Sequence, residues 1–150
     1  MPYCQGGKFI FVIKYSHEGE MVMLTEDQLV ATMEKERHRT LKVWRDAVNL
    51  AREIYSLTGS FPQEERFGLI SQLRRAAVSV ASNIAEGSKR LSAENRNFLR
   101  YSLGSLAECD TQLIIAEQLG YCEYPKKLKA AIMGLMMAIR AYGKSLTPEP

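Results

Sequence analysis

Residues 61–90 read FPQEERFGLISQLRRAAVSVASNIAEGSKR, and they contain the clearest helical pattern of the chain. Apolar side chains recur there at alternating steps of three and four residues, the spacing of one face of an α-helix. The residues on that face are Ile70, Leu73, Ala77, Val80 and Ile84. Pro62, followed by Glu64 and Glu65, suits a helix start, and Gly87 suits a helix end. This stretch predicts an amphipathic helix with one buried face.

Three further segments show the same helical period. The segment before residue 61 has Leu41, Trp44, Val48, Ala51, Tyr55 and Thr58. The segment after residue 90 has Leu99, Leu103, Leu106, Cys109, Leu113 and Ala116. The last segment has Leu128, Ile132, Leu135, Ile139, Tyr142 and Leu146. Gly59 and Gly120 are natural stops, Ser92 is a natural N-cap, and Pro125 opens the last helix.

These four helices, joined by short connections, have one favoured packing. The predicted fold class is all-α, with an antiparallel up-down-up-down four-helix bundle over residues 37–147. Residues 148–150 form a tail, because Pro148 and Pro150 cannot continue a helix.

Residues 1–36 differ from the rest of the chain and are interpreted as an N-terminal extension. Residues 9–16, FIFVIKYS, are β-like, and Thr25 is a plausible N-cap for a weak helix. One interpretation is that translation starts at Met33 and the preceding residues lie upstream of the natural start. The other is an arm that packs on the bundle or on a neighbouring chain.

Composition excludes several classes of protein. The chain has 150 residues, of which 46% are hydrophobic and 25% charged, as in a globular domain. No apolar run reaches the roughly 18 residues of a membrane span, and no targeting signal is recognised, so the cytoplasm is expected. Three cysteines without a C-x-x-C pair support neither a disulfide framework nor a zinc site. His17 and His38 both precede the helical segments, so no enzyme, cofactor or metal site is expected.

Basic charge is concentrated in residues 66–100, which hold seven basic and two acidic residues within a chain of net charge +3. Such an excess attracts nucleic-acid phosphates. The candidate nucleic-acid-binding residues are Arg74, Arg75, Lys89, Arg90, Arg96 and Arg100. The alternative is a solvated face with local salt bridges, and no aromatic residues interleave with these charges as on a single-strand-binding surface.

Two other faces suggest contact between subunits. The outer face of the helix in residues 61–90 has mostly small side chains, and the last helix has a methionine strip beside its apolar stripe. The candidate interface residues are Ser71, Val78, Ser79, Ser82, Met133, Met136 and Met137. The alternatives are a tolerated surface for the first face and additional core for the second.

Three stretches resemble a known family. They are LKVWRDAVNLAREIY, residues 61–90 with the specific run QLRRAAVSVASNIAEG, and NFLRYSLGSLAECDTQL followed by IIAEQLGY. Over residues 41–146 the chain resembles the 23S rRNA intervening-sequence proteins, which are small bacterial four-helix bundles. The family commonly has proline where this chain has Ala81, and Leu-Glu where it has Cys109-Asp110; both departures suit the fold.

The resemblance implies a ring-like homopentamer, a fold similar to the nucleic-acid-binding accessory proteins of diversity-generating retroelements, and no catalytic residues. The first functional hypothesis is a non-enzymatic oligomer that binds RNA or DNA through its basic surface. The second is a protein-interaction scaffold or an accessory subunit of a nucleic-acid enzyme. The third, an enzyme, lacks a nucleophile and base.

Overall fold

A computed structural model describes residues 3–5, 8–15, 21–34 and 36–146, with side chains for residues 24–33 and 36–146. The chain divides into two compact units, residues 1–36 and 37–150. His17, Ser16 and the predicted tail at residues 148–150 lie outside the described residues.

The first unit contains an antiparallel three-stranded sheet in the order β1-β2-β3. The strands are β1 (Tyr3–Gln5), β2 (Lys8–Tyr15) and β3 (Met21–Leu24). Tyr3 pairs with Ile10 and Tyr15 pairs with Met21. The β-like interpretation is therefore confirmed for residues 9–15.

Helix α1 (Glu26–Glu34) follows the sheet and begins at the predicted cap. The backbone N–H of Gln28 donates to Thr25 Oγ1 at 3.3 Å, and the backbone N–H of Thr25 donates to Gln28 Oε1 at 3.0 Å. This reciprocal pair is a capping box, which satisfies two backbone donors at the helix start. The prediction of Thr25 as an N-cap is confirmed.

Within the described part of the second unit, every regular element is helical, so this unit is all-α. Its α-helices are α2 (Arg37–Thr40), α3 (Lys42–Leu57), α4 (Leu69–Gly87), α5 (Ser92–Gln118) and α6 (Lys126–Ser145). Two 3₁₀ turns, Thr58–Ser60 and Gln63–Phe67, connect α3 to α4. No helix of the described residues is long and apolar enough to cross a membrane.

In the second unit, the predicted helix starts are right at one position and wrong at two. Pro125 is the N-cap of α6, as expected. Ser92 is the first residue of α5 rather than its cap, which is Leu91. The stretch after Pro62 forms a 3₁₀ turn, and α4 starts only at Leu69, where Glu65 Oε2 accepts the backbone N–H at 2.7 Å. The side chain of Glu65 thus satisfies the backbone N–H of Leu69, which has no partner from an N-cap side chain.

The core of the second unit lies between α3, α4, α5 and α6. Helix α4 packs on α3 and α5, and α6 also packs on α3 and α5. The predicted apolar face of α4 is confirmed, since all five of its residues are buried. The predicted faces of α5 and α6 are buried too, apart from Leu103 and Tyr142, which are partly buried.

The predicted face of α3 is wrong by one residue position along the helix itself, although Thr58, directly after the helix, is buried as predicted. The buried residues of α3 are Val43, Ala47, Leu50 and Ile54, whereas Val48 and Tyr55 are 41% and 45% exposed. Two apolar stripes run side by side on α3. The predicted stripe, with Trp44, Val48 and Tyr55, has the larger side chains, and it lies at the edge of the core. Trp44 and Ala51 pack against the core from that edge.

Contacts made by polar and charged side chains join neighbouring helices. Ser102 Oγ donates to the carbonyl oxygen of Val80 at 3.1 Å, which links α5 to α4. Lys127 Nζ lies 2.8 Å from Glu53 Oε1, which links the start of α6 to α3. Helix α5 ends at Gln118, and Gly120, two residues later, has a φ of +74°, the left-handed conformation that favours glycine.

Candidate nucleic-acid interface

A groove opens between the start of α5 and the end of α6. Its volume is about 770 Å³. Its apolar lining comes from Leu99 and Leu103 of α5, Ile139 of α6 and Leu146 just after α6. Leu99, Ile139 and Leu146 also belong to the buried core, so the groove floor is a continuation of that core. The site is therefore built on packed helices rather than on loops.

Four basic residues line the same groove. Arg96 and Arg100 come from α5, and Arg140 and Lys144 come from α6. Within each pair the spacing is four residues, which places both side chains on one face of their helix. No aspartate or glutamate is among the described residues that line the groove. The groove therefore concentrates positive potential over an apolar floor.

The hydrogen-bond partners of the two groove arginines on α5 are neutral. Arg96 Nη1 donates to the backbone carbonyl oxygen of Leu146 at 3.0 Å. Arg100 Nη2 donates to Asn97 Oδ1. Neither contact brings a carboxylate to the guanidinium, so both positive charges can act on an anion in the groove.

Lys89 and Arg90 lie on the turn between α4 and α5, and both are exposed. Arg90 Nη2 is 3.1 Å from Glu86 Oε1, and its guanidinium carbon lies 5.9 Å from the centroid of the Phe98 ring. The exposed ion pair with Glu86 offsets part of the charge of Arg90. The positive charge of this turn is therefore partly offset, whereas no carboxylate is among the described lining residues of the groove.

Arg74 and Arg75 lie on α4, far from the turn. Arg74 Nε donates to Thr58 Oγ1 at 2.8 Å, and its guanidinium carbon is 4.6 Å from the centroid of the Tyr55 ring. Arg74 thus joins α4 to the end of α3, while Arg75 is exposed. At 1.5 Å per residue, about 20 Å of helix separate them from Gly87. The six candidate residues, five arginines and one lysine, therefore lie in three separate places: on α4, on the α4–α5 turn and in the groove.

Sequence reasoning missed Arg140, Lys144 and two aromatic residues. Phe98 and Tyr101 meet edge to face, with ring centroids 5.9 Å apart, and Tyr101 is 61% exposed. A shallow pocket of about 290 Å³ is lined by these rings together with Arg90, Glu94 and Asn97. The expectation that no aromatic residues interleave with the basic charges is wrong, because Phe98 and Tyr101 precede and follow Arg100 on α5. The helical spacing of residues 96–101 is the signal that could have revealed Phe98 and Tyr101.

The candidate interface residues of α4 divide into two groups. Val78 and Ser82 are exposed and Ser71 is partly exposed. Ser79 instead faces α5, where its Oγ accepts a hydrogen bond from Ser105 Oγ at 2.9 Å. Ser79 therefore belongs to the contact between helices of one chain.

The methionine strip of α6 divides in the same way. Met133 and Met137 are 57% and 63% exposed. Met136 is partly buried and packs against the core, which is the alternative that the sequence left open. Two exposed methionines remain on the outer side of α6.

The buried thiol and phenol of the second unit are poor reactive groups. Burial, reinforced by Glu108 and Asp110, raises the pKa of the Cys109 thiol to about 12. The prediction that Cys109 is a core hydrophobe is confirmed. Burial also raises the pKa of Tyr124, whose hydroxyl donates to Asp110 Oδ1 at 2.8 Å. The described residues contain no group of three histidine, cysteine, aspartate or glutamate side chains placed to hold a metal ion.

Comparison with known proteins finds one family. No curated protein matches the chain. A family model described as 23S rRNA-intervening sequence protein matches residues 39–137, which include α3, α4, α5 and most of α6. Because this match covers well over half of the 150 residues, the chain belongs to the 23S rRNA-intervening sequence protein family.

Proposed function

We propose that this protein is a non-enzymatic, oligomeric four-helix-bundle protein that binds RNA or DNA through the groove between α5 and α6. The observation that carries the proposal is the set of four basic residues around that groove with no carboxylate among its described lining residues. Nucleic-acid backbones offer a row of phosphates, and release of their counterions drives binding to such a set. Lys89 and Arg90, on the nearby turn, extend the same surface.

The proposed arrangement of the helices is antiparallel, up-down-up-down. Three links between helices support it. Arg96, at the start of α5, bonds to Leu146 at the end of α6, and Lys127, at the start of α6, pairs with Glu53 near the end of α3. Ser102 of α5 bonds to Val80 of α4 across the turn that joins them. Each link joins residues that an antiparallel pair brings to the same level.

The proposed oligomer is a ring of identical subunits, as the homopentamer implied by the family resemblance. A closed ring uses two different surfaces on every subunit. The small outer face of α4, with Ser71, Val78 and Ser82, supplies one surface. The exposed Met133 and Met137 of α6 supply the other, and α4 and α6 each pack on both α3 and α5. In a ring each groove would be repeated, so that weak contacts to one strand add together.

The proposal assigns the protein no catalytic residues, no cofactor and no membrane role, and it places the protein in the cytoplasm. The buried thiol and phenol of the second unit are poorly suited to a catalytic role. The Cys109 thiol is buried with a raised pKa, and Tyr124 and Asp110 are occupied by their mutual hydrogen bond. A thiol held protonated at neutral pH is a weak nucleophile.

The test compares two triple variants that lose the same charge. One changes Arg100, Arg140 and Lys144 in the groove to glutamine. The matched control changes the exposed Arg45, Arg52 and Lys126, which lie outside the groove, to glutamine. Both variants lower the net charge from +3 by three. Binding of a fluorescent oligonucleotide is followed by anisotropy over a range of salt concentrations.

The groove variant is expected to bind more weakly and to reduce the salt slope by about 2 to 3 units, depending on whether the ligand is single- or double-stranded. The control variant is expected to stay close to the parent protein. Equal losses in both variants would overturn the groove as the site, since a general charge effect would then explain the binding. No binding of RNA or DNA by the parent protein would overturn the proposed function.

The second candidate function is a scaffold or an accessory subunit of a nucleic-acid enzyme. The exposed Met133 and Met137 favour it, because flexible methionines suit protein contacts. A protein partner bound through these residues would be lost when both are changed to glutamine, while each groove would keep its own salt-dependent contacts to phosphates.

A further inference from the structure

We propose that the surface around the start of α5 takes single-stranded nucleic acid, with a base stacked on Tyr101 and the adjoining phosphates at Arg100, Arg140 and Lys144. This inference rests on the proposed function and narrows its ligand class. It follows from the position of the aromatic pair, Phe98 and Tyr101, beside the groove. Counting charges along the sequence does not reveal this position.

The aromatic pair forms a platform. Tyr101 is held against Phe98 with an interplanar angle of 86° and is 61% exposed, so one ring is fixed and the other is open to a ligand. Arg90 approaches the Phe98 ring from the α4–α5 turn. Aromatic side chains beside arginines are the usual stacking sites for unpaired bases.

The platform and the groove are adjacent parts of one surface. Asn97 lines both the groove and the aromatic pocket. Arg100 and Tyr101 are consecutive residues of α5, and Arg100 donates a hydrogen bond to Asn97. A nucleic-acid strand that crosses α5 at Asn97 would therefore meet the Tyr101 ring on one side and the basic residues of the groove on the other.

The shape of the groove favours an unpaired strand over a duplex. Its floor is apolar, with Leu99, Leu103 and Ile139 between two rows of basic side chains. The bases of a duplex are stacked inside and present no ring face to Tyr101, or from neighbouring nucleotides to the apolar floor, whereas an unpaired strand presents such faces. Glu94, in the aromatic pocket, repels phosphate, so the backbone is placed on the groove side and the base on Tyr101.

The experiment measures the affinity of the whole chain for a thymidine oligonucleotide of about 20 nucleotides and for a duplex of the same length. Three variants are compared with the parent protein: Tyr101→Leu, Tyr101→Phe and Phe67→Leu. Phe67→Leu is the matched control, because Phe67 is 89% exposed and precedes α4, at its opposite end from the α4–α5 turn. The groove triple variant Arg100, Arg140 and Lys144 to glutamine is measured in parallel.

The parent protein is expected to bind the single strand more tightly than the duplex. Tyr101→Leu is expected to weaken single-strand binding by about 5- to 100-fold, the effect of losing one stacked base. Tyr101→Phe keeps the ring and is expected to bind as the parent does, and so is Phe67→Leu. The salt slope of Tyr101→Leu is expected to equal that of the parent, since no phosphate contact is lost.

The outcomes separate this inference from the proposed function. Duplex binding as tight as single-strand binding, or an unchanged affinity in Tyr101→Leu, overturns the inference. If the groove triple variant still weakens binding in that case, the proposed function stands. Equal losses in Tyr101→Leu and Phe67→Leu also overturn the inference, because stacking at one site does not explain them.

Discussion

The guanidinium of Arg96 and the backbone carbonyl oxygen of Leu146 are joined by a hydrogen bond of 3.0 Å. Arg96 lies in the first turns of α5, and Leu146 directly follows α6. The last carbonyl groups of a helix have no partner within the helix, and a cation near them is favoured by the helix dipole. Arg96 therefore stabilises the end of α6 and also adds positive charge to the groove.

The first prediction follows from this bond. Arg96→Ala should lower the free energy of unfolding by about 1 to 3 kcal/mol, because a charged donor is lost from a partly buried carbonyl. Arg100→Ala is the control, since Arg100 is exposed and bonds only to Asn97 among the described contacts. It should change stability by less than about 0.5 kcal/mol. Urea denaturation measures both, and equal midpoints would show that the bond adds nothing.

The second prediction concerns Gly87, the last residue of α4. A Cβ atom there would lie 2.7 Å from Asn95 Oδ1 and 2.8 Å from Phe98 Cβ. Because Phe98 Cβ is fixed to the backbone of α5, Gly87→Ala should force the two helices apart and cost about 1 to 3 kcal/mol. Thermal melts would measure the loss.

Gly104→Ala is the matched control for Gly87→Ala. Gly104 lies in the middle of α5, and no atom is within 4 Å of the position of its Cβ. Alanine should stabilise the helix there by about 0.5 to 1 kcal/mol, because glycine is the more flexible residue in the unfolded chain. Two changes of the same kind should thus have opposite signs, and a shared sign would contradict the packing at Gly87.

Helices α3 and α4 show how far sequence alone predicts this fold. In α4 the residues opposite the apolar stripe are mostly serine, arginine and glutamate, so only one face can be buried. In α3 the stripe through Leu50 and the stripe through Trp44 are both apolar, and periodicity cannot choose between them. The positions of α4 and α6 decide which stripe of α3 is buried, and those positions are set by tertiary packing.

The candidate site was predicted in part for a related reason. Arg96 and Arg100 lie in the stretch of local basic excess and could be found by counting charges. Arg140 and Lys144 lie about 40 residues later and join them only because the end of α6 packs beside the start of α5. Contacts of α4 with the end of α3 and with α5 likewise decide that Arg74 and Ser79 serve packing within the chain.

The third prediction tests the core. Leu73→Ala and Ile84→Ala should each cost about 2 to 5 kcal/mol, since both side chains are fully buried in α4. Val48→Ala should cost less than about 1 kcal/mol, because Val48 is 41% exposed on α3. Chemical denaturation of the three variants checks this order. A large loss in Val48→Ala would mean that Val48 is covered in solution, as in a subunit interface.

The fourth prediction is that the protein is larger than a 17.0 kDa monomer in solution. Val78→Arg or Ser82→Arg should shift it towards the monomer, because a charge without a partner would be buried on the outer face of α4. Gln63→Arg adds the same charge on an exposed turn before α4 and should leave the assembly intact. Light scattering after size-exclusion chromatography measures the mass. A parent protein that is monomeric at micromolar concentration would contradict the prediction.

The last prediction concerns the alkaline limit of stability. Burial, followed by the hydrogen bond to Asp110, raises the pKa of the Tyr124 hydroxyl above its usual value of about 10. The folded state keeps this proton at a pH where the unfolded chain has lost it. The resulting stability is fully present below pH 10 and decreases as pH rises above it, with a slope of at most about 1.4 kcal/mol per pH unit.

Tyr124→Phe should therefore have two effects. Near neutral pH it should cost about 1 to 3 kcal/mol, because Asp110 loses a hydrogen bond of 2.8 Å. Above pH 10 its stability should decrease less steeply than that of the parent protein, because one titrating group has been removed. Tyr142→Phe is the control at neutral pH, since the buried Tyr142 hydroxyl has no partner among the described residues and its loss should be neutral or stabilising. Urea unfolding between pH 7 and about 11 measures these effects, and parallel curves for Tyr124→Phe and the parent would show that the phenol of Tyr124 does not set the alkaline limit.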